Sequence, residues 1–481
     1  MRQNVDFNSA DFALRTREAP GRREQPDADR PFRVLVLGNF SGRAERGGQP
    51  VEIDPDNFDD VLAALAPEVN LALPGRYVRQ QFRSLEDFHP DSLYASLSGF
   101  DEPAKQTFMN AAAQATEKPA APAPAARPAS EPAPPPRRPS GNLLEDMLSV
   151  HTGEAAAAPA KQKDLFEDVI QNIVRPHLTP AADPTAAERA RLSEAYDSEV
   201  MRSILHQPAY QALEAAWRSL DFFMRRVPTG GDIKLAILDL PLAELKADLH
   251  AGADSAVKRA FDGFGDRYAV CVGLYEFGPD TEDLSALGRL ADVAAAANLT
   301  FIAGGGPDLL GQDTFAGLEQ ARKLSAPAEW GALRQRKNSD ALAIALPRFL
   351  LRLPYGRNTS RIESFDFAEM PGAPEHEHYL WGNSAIAAAV MLASAFEQGG
   401  WENLSSSIDL ELDRLPVHTY GPGSGPQMTP CAETWMTDEL AMQLIDEGFL
   451  AFASLRHRDA IRLLRLQSIS KASPQLRGPW S

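Results

Sequence analysis

The sequence predicts an α/β protein in two unequal parts, and three observations carry that prediction. Short apolar, β-branched runs alternate with helix-period segments along most of the chain, as in folds where helices cover a mixed sheet. The 481 residues exceed one typical domain. A single Pro/Ala-rich stretch divides them: of residues 119–139, nine are Pro and seven are Ala, which leaves almost nothing to bury and favours an extended, polyproline-like linker.

Upstream, Val34-Leu35-Val36-Leu37 closed by Gly38-Asn39 reads as a buried strand. Asp54-Pro55-Asp56-Asn57 offers capping residues ahead of Phe58, Val61, Leu62 and Leu65, spaced as one helix face until Pro67 stops it. Val69, Leu71 and Leu73 then alternate with Asn70 and Ala72 as a half-buried strand should. Ser84 caps a turn through Leu85, Asp87 and Phe88, and a helix over 101–116 precedes the linker. The result is a small β-α-β unit whose marginal core calls for a partner surface.

Past the linker, Leu143, Leu144, Met147 and Leu148 make a short amphipathic patch at helical spacing. It reads either as a helix that frays alone or as a peptide that folds on a partner. A helix follows over 164–174. Residues 198–224 are helical with a break at Gln207-Pro208, and Ile204, Leu205, Leu213, Trp217, Leu220 and Phe223 lie on the buried side. Strands over 233–238, 268–275, 299–303 and 342–345 alternate with helices, which predicts a larger mixed-sheet α/β domain.

With 48 basic against 66 acidic side chains the net charge is −18, which excludes a generic binder of nucleic acid or anionic membrane. No apolar run approaches the roughly 20 residues a membrane span needs, so no stable membrane insertion is expected. Met1 to Asn8 is polar rather than secretory, and Cys271 and Cys431 cannot form a disulfide framework, so the reading is a cytoplasmic chain with inert thiols.

Candidate chemistry is sparse. Gly304-Gly305-Gly306 follows a strand, where a phosphate-cradling loop would sit, but no Lys-Ser/Thr follows and a strand-end turn explains it equally. His376 and His378 flank Glu377 without a third ligand at metal-site spacing, which favours a solvated loop. No nucleophile elbow or paired carboxylate motif is present, so the expectation is no catalytic residue, no metal and no cofactor. From 455 to 478 there are six Arg/Lys against Asp459 alone, interleaved with Ile461, Leu463, Leu464, Leu466 and Ile469. Three readings stand: a basic strand docking on an identical neighbour, a solvated edge strand, or a nucleic-acid tail.

Two resemblances then converge. Pro31-Phe32-Arg33-Val34 through Ser41-Gly42, Val51-Glu52-Ile53-Asp54 through Val61-Leu62, and Phe82-Arg83-Ser84 through His89-Pro90 resemble the small contractile-sheath subunit of the bacterial type VI secretion system. His206-Gln207-Pro208 through Leu220, Tyr275-Glu276-Phe277, Leu346-Pro347-Arg348 through Tyr355-Gly356, Glu363 to Phe367, Tyr379 to Asn383, Leu415 to Thr419 and Gln467-Ser468 resemble the large one. The chain therefore reads as a fusion. Its expected parts are an N-terminal arm (1–29), a small-subunit-like domain (30–116), a linker with a short helix (117–162, helix 143–148), a large-subunit-like domain (163–470) and a C-terminal tail (471–481).

The resemblance implies a self-assembling helical tube, alone or with unfused sheath subunits, around an inner-tube protein. Contraction driven by subunit packing would propel that inner tube from a membrane-anchored baseplate. It also implies neighbours stitched by exchanged strands, with Val5, Phe7, Phe12 and Leu14 and the basic run at Ile461, Leu463, Leu464, Leu466 and Ile469 as candidates. Leu143, Leu144, Met147 and Leu148 resemble the handle gripped by an AAA+ disassembly ATPase. A phage-tail-like contractile particle is the near alternative, and a nucleotide-binding α/β enzyme using Gly304–Gly306 the distant one.

Overall fold

In a computed structural model of the chain, residues 29–44, 48–74, 76–97, 100, 105–106, 186–262, 267–406, 408–421 and 427–481 are described. The arm at Val5 to Leu14, the linker, the patch at Leu143 to Leu148 and the helix expected over 164–174 lie outside them, as does the helix over 101–116 apart from residues 105 and 106.

β1 (Phe32–Gly38) is apolar at successive positions and buried on both faces, which only an interior strand achieves. β2 (Val51–Ile53) and α1 (Phe58–Leu65) follow. Asp54 Oδ1 accepts the N–H groups of Asp56 and Asn57 at 3.0 Å, and Asp59 and Asp60 favour the helix N-terminus. Ala66, at φ 45°, turns the chain out ahead of Pro67. β3 (Glu68–Leu73) and β4 (Arg76–Gln81) form a hairpin with Val69, Leu71 and Leu73 inward. Gly42, at φ 71°, passes so close that a Cβ would stand 2.1 Å from the Glu68 carbonyl oxygen. Asp87 accepts the Arg83 and Ser84 N–H groups to start a turn over Leu85–Phe88, and α2 (Pro90–Ser96) completes the upstream part.

Downstream, α3 (Ala186–Leu205) and α4 (Pro208–Met224) are separated by Gln207, held extended ahead of a proline. Then come β5 (Ile233–Asp239), α5 (Leu242–Asp248), α6 (Ala256–Asp262), β6 (Val270–Phe277), α7 (Thr281–Ala296), β7 (Thr300–Gly305), α8 (Ala328–Arg334), β8 (Leu342–Leu346), β9 (Phe349–Leu350) and β10 (Trp381–Gly382). The chain ends with α9 (Ser384–Ser406), β11 (Glu411–Leu412), β12 (Thr419–Tyr420), β13 (Gln427–Met428), α10 (Asp438–Asp446), β14 (Leu450–Ser454) and β15 (Ile461–Leu463).

Nine strands make one mixed sheet in the order β11-β15-β14-β8-β7-β6-β1-β5-β2. The six from β14 to β5 are parallel, and antiparallel strands finish both ends. β1 lies between β5 and β6, pairing Phe32 with Ile233 and Val34 with Val270. Alternate residues feed two cores: Val34 and Val36 face α4 and α9, whereas Leu35 and Leu37 face α5 and α7.

The α/β class and mixed sheet match expectation, but β1 and β3 do not share a sheet. A strand apolar on both sides must sit inside a large sheet. An alternating one needs only one buried face, so β3 pairs with β4 on the helical layer above. The two parts of the chain are thus built into one sheet, and side chains of the downstream part satisfy backbone groups of the upstream part. Trp217 Nε1 donates to the Phe40 carbonyl at 2.9 Å, and Tyr210 Oη to that of Phe88 at 2.6 Å. Asp239 Oδ1 accepts the Phe40 and Ser41 N–H groups at 2.7 and 3.1 Å. The Gln207 amide bonds both the N–H and C=O of Ala72, at 2.8 and 3.1 Å, as a strand partner would. This supplies the partner surface that the small core lacks.

Residues 471–481, expected as a tail, contribute to the body. Leu476 and Trp480 are buried, the Trp480 ring lies 6.3 Å from that of Phe32, and Arg477 holds Asp340 through both oxygens at 2.9 and 2.8 Å. The physical reason is the pair of apolar side chains that flank the arginine.

Candidate functional site

The segment from Leu346 to Asn383 crosses one side of the sheet with little regular structure, and charged side chains hold it. Arg352 is nine-tenths buried between two fully buried carboxylates, donating to Glu214 Oε1 at 2.9 Å and to Glu369 Oε2 at 2.9 Å. Arg218 adds a bond to Glu214 at 2.6 Å and to the Tyr355 hydroxyl at 3.2 Å. Burial opposes the charge on Glu369, but Arg352, His206 and the Tyr355 N–H outweigh it and hold its pKa at about 2. Burial likewise opposes the Arg352 charge, and Glu214 and Glu369 raise its pKa well above the ordinary value.

A second cluster lies beside it. Arg348 donates through Nε to Glu433 at 2.9 Å, makes a further short contact with that carboxylate, and reaches Glu276 at 3.3 Å. His376 Nε2 lies 2.7 Å from Glu433, so this histidine sits on a buried carboxylate rather than in the solvated loop expected. Burial acts to raise the Glu433 pKa, yet the bonds from Arg348 and His376 bring it below the usual range. His378 stacks on His206 with centroids 3.7 Å apart, and burial lowers its pKa. The Tyr379 hydroxyl joins His418 Nδ1 at 2.7 Å and Thr429 Oγ1 at 2.8 Å, and burial pushes its pKa up to about 12. Asn383 Nδ2 donates to the Tyr275 carbonyl at 2.8 Å while its Oδ1 accepts from Ala385 N–H, tying β6 to the start of α9.

The motifs at 346–356, 379–383 and 415–419 therefore meet in one layer. Of their partners, Glu214 lies in the motif at 206–220, whereas Glu369 and Glu433 lie in none. Glu214 carries a signal, since it falls between Leu213 and Trp217 on the buried stripe of α4, where a carboxylate needs a cation. Buried pairing of this kind fixes one geometry.

The expected site residues fall as follows. Ile461 and Leu463 are in β15, paired to β14 on one side and β11 on the other; Leu464 and Leu466 are half-buried, and Ile469 is buried with its N–H on the Leu342 carbonyl. Part of the basic run finds acidic partners inside the chain: Arg458 and Arg462 both pair with Glu411, and Arg477 pairs with Asp340. Gly304 and Gly305 lie in β7, packed against Asn383 and Ile344; a Cβ on Gly306 would stand 2.4 Å from an Asp308 carboxylate oxygen, and the Gly306 N–H already donates to the Phe277 carbonyl at 2.9 Å. Those glycines serve close packing rather than a phosphate cradle. Burial raises the Cys271 thiol well above its ordinary pKa and Cys431 to about 11. Among the described residues, no group of three or more His, Cys, Asp or Glu is placed to hold a metal, and no helix is long and apolar enough to cross a membrane.

A family model described as EvpB/VC_A0108, tail sheath N-terminal domain, matches residues 193–470, which takes in both ion clusters and all of the sheet but β1 and β2. The chain belongs to this sheath family. A second model, for the type VI secretion system protein VipA, VC_A0107 or Hcp2, matches residues 21–101, so one chain carries both sheath segments in series. The sheath chain is 28% identical over 288 residues to the type VI secretion system sheath protein TssC1 of Pseudomonas aeruginosa, across 56% of its own length and 58% of that relative's.

Proposed function

We propose that the chain is the structural subunit of a type VI contractile sheath. It polymerises into a helical tube around an inner-tube protein, is seated on a membrane-anchored baseplate in the cytoplasm, and drives that inner tube outward on contraction. The observation that carries this reading is the presence of both sheath segments in one chain, with the upstream strand β1 built into the middle of the downstream sheet. Covalent linkage keeps the two segments at one-to-one ratio and high effective concentration. The work of contraction then lies in contacts between subunits, and no catalytic group is required.

Strand exchange through Val5, Phe7, Phe12 and Leu14, and an ATPase handle at Leu143, Leu144, Met147 and Leu148, are the finer parts of the proposal. Electron microscopy of the chain co-expressed with an inner-tube protein tests all three. Hollow tubes are expected for the full chain, dispersed protomers for a chain lacking residues 1–14, and tubes that the AAA+ ATPase no longer takes apart for a chain lacking 141–150. Protomers that stay dispersed with the full chain would overturn the sheath reading. Unchanged tubes or unchanged disassembly would overturn the corresponding finer part.

A further inference from the structure

The two sides of the central sheet carry surfaces of opposite charge, each with a large apolar side chain in the open. On one side is the hairpin β3–β4. Tyr77 pairs across the hairpin with Ala72 and Arg79 with Asn70, so Tyr77 and Arg79 project from the same outward face, and Tyr77 is 71% exposed. Arg43 and Arg79 approach the single carboxylate of Glu68 at 3.9 and 3.7 Å, so two cations share one anion there. On the other side is α10. Asp438, Met442 and Asp446 are spaced i, i+4, i+8 along its outer stripe with Glu439 beside them, and Met442 is 56% exposed. Arg322 and Lys323 border that stripe on the side where Gln443 holds the Arg322 carbonyl at 3.2 Å.

Tyr77, Met442 and Val51 are the exposed large apolar side chains among the described residues, and two of the three sit in these charged frames. The hairpin buries Val69, Leu71 and Leu73 in the core shared with α4 and α9. The helix buries Leu440 and Leu444 in the opposite core. The two surfaces therefore look away from each other across the sheet and cannot meet within one chain.

We propose that they are the two halves of one head-to-tail contact between copies of this chain, with Tyr77 against Met442 and with Arg79 against Asp438, Glu439 and Asp446. The occupant is a second copy because each surface supplies what the other lacks: opposite charge around a matching apolar centre, and a sulfur for an aromatic edge. A contact between unlike patches leaves each copy with one patch unused, so it propagates as an open helix instead of closing as a dimer. The inference rests on the sheath reading and names one of the contacts that would build the tube.

Cysteine cross-linking of the full chain tests it. Cys271 and Cys431 are buried, at 0% and 2% exposure, so the background is low. Under mild oxidation, a chain carrying both Tyr77→Cys and Met442→Cys should give a ladder of dimers, trimers and higher species. An equal mixture of the two singly substituted chains should stop at the dimer, and each single variant alone should stay monomeric on a non-reducing gel. Reversing charge with Arg79→Glu should abolish the ladder, and adding Asp438→Arg should restore it. Tubes in the microscope without a ladder would overturn this contact and leave the sheath reading intact. A ladder without tubes would overturn the sheath reading and keep the contact, and absence of both would overturn both. Dimers from the Tyr77→Cys chain alone would show a self-complementary patch and also sink the proposal.

Discussion

The sheet interior and the charged layer beside it are held together in opposite ways. Around β1, seven register pairs to β5 and four to β6 spread the binding over many apolar side chains, none of which is indispensable. Around Arg352, one guanidinium holds two buried carboxylates that no water reaches. The first arrangement degrades gradually under substitution. The second has a single right geometry and fails as a unit.

The largest effect should follow from breaking that unit. Arg352→Leu leaves the buried Glu369 without its guanidinium and Glu214 with Arg218 alone, and removal of one partner from a buried pair costs about 3–5 kcal/mol. Urea unfolding of the purified chain measures it. A change below about 1 kcal/mol, the range of exposed ion pairs, would show that the layer is not held as described. The variant should also have a lower midpoint at unchanged denaturant slope, because the surface exposed on unfolding is the same.

Acid should act on the same groups. Glu369 has a folded pKa of about 2 against 4.5 ordinarily, so its contribution is complete above pH 4.5 and disappears as the pH falls through 2. Its size is roughly 3 kcal/mol from the shift alone. Glu433 is lowered too and acts in the same sense. Glu276, raised by burial, acts oppositely, since its protonation favours the folded chain. His378 and His418, both lowered by burial, should begin the loss earlier, below pH 6.5, because the unfolded chain takes up their protons first. Thermal unfolding across pH 7 to 2 should show a shallow fall and then a steep one. The steep limb should flatten in Arg352→Leu, whose Glu369 has already lost its cation, and a limb of equal slope in that variant would refute the assignment.

How much of this was readable from residues alone follows from the same contrast. β1, β5, β6, β7 and β8 announce themselves as local apolar runs, and α1 by its spacing and its stop at Pro67, because each is specified by residues close together in the chain. β2 and β11, of three and two residues, carry no such pattern and exist only because a neighbouring strand edge is there to pair with. The charged layer was half legible. Arg348, Arg352 and Tyr379 stood out in motifs, but Glu214 lies 138 residues from Arg352, and only the fold brings the two together. The basic C-terminal run is a related case: Arg462 meets Glu411, 51 residues before it, and no local pattern announces that pair.

The smallest effect should come from the sheet. Ile237 in β5 is 1% exposed and packs among Val34, Val36 and the α4 side chains. Ile237→Val removes one methylene and leaves a hole that its neighbours fill in part, at about 0.5–1.5 kcal/mol. The register to β1 is untouched, since every backbone bond and every other apolar contact along Val36 and Leu37 remains. Urea unfolding should therefore show a small shift of midpoint, the same pH profile as the parent chain, and unchanged tube formation. If Ile237→Val instead cost as much as Arg352→Leu, the sheet would be as brittle as the charged layer, and the division between a distributed and a concentrated core would fail.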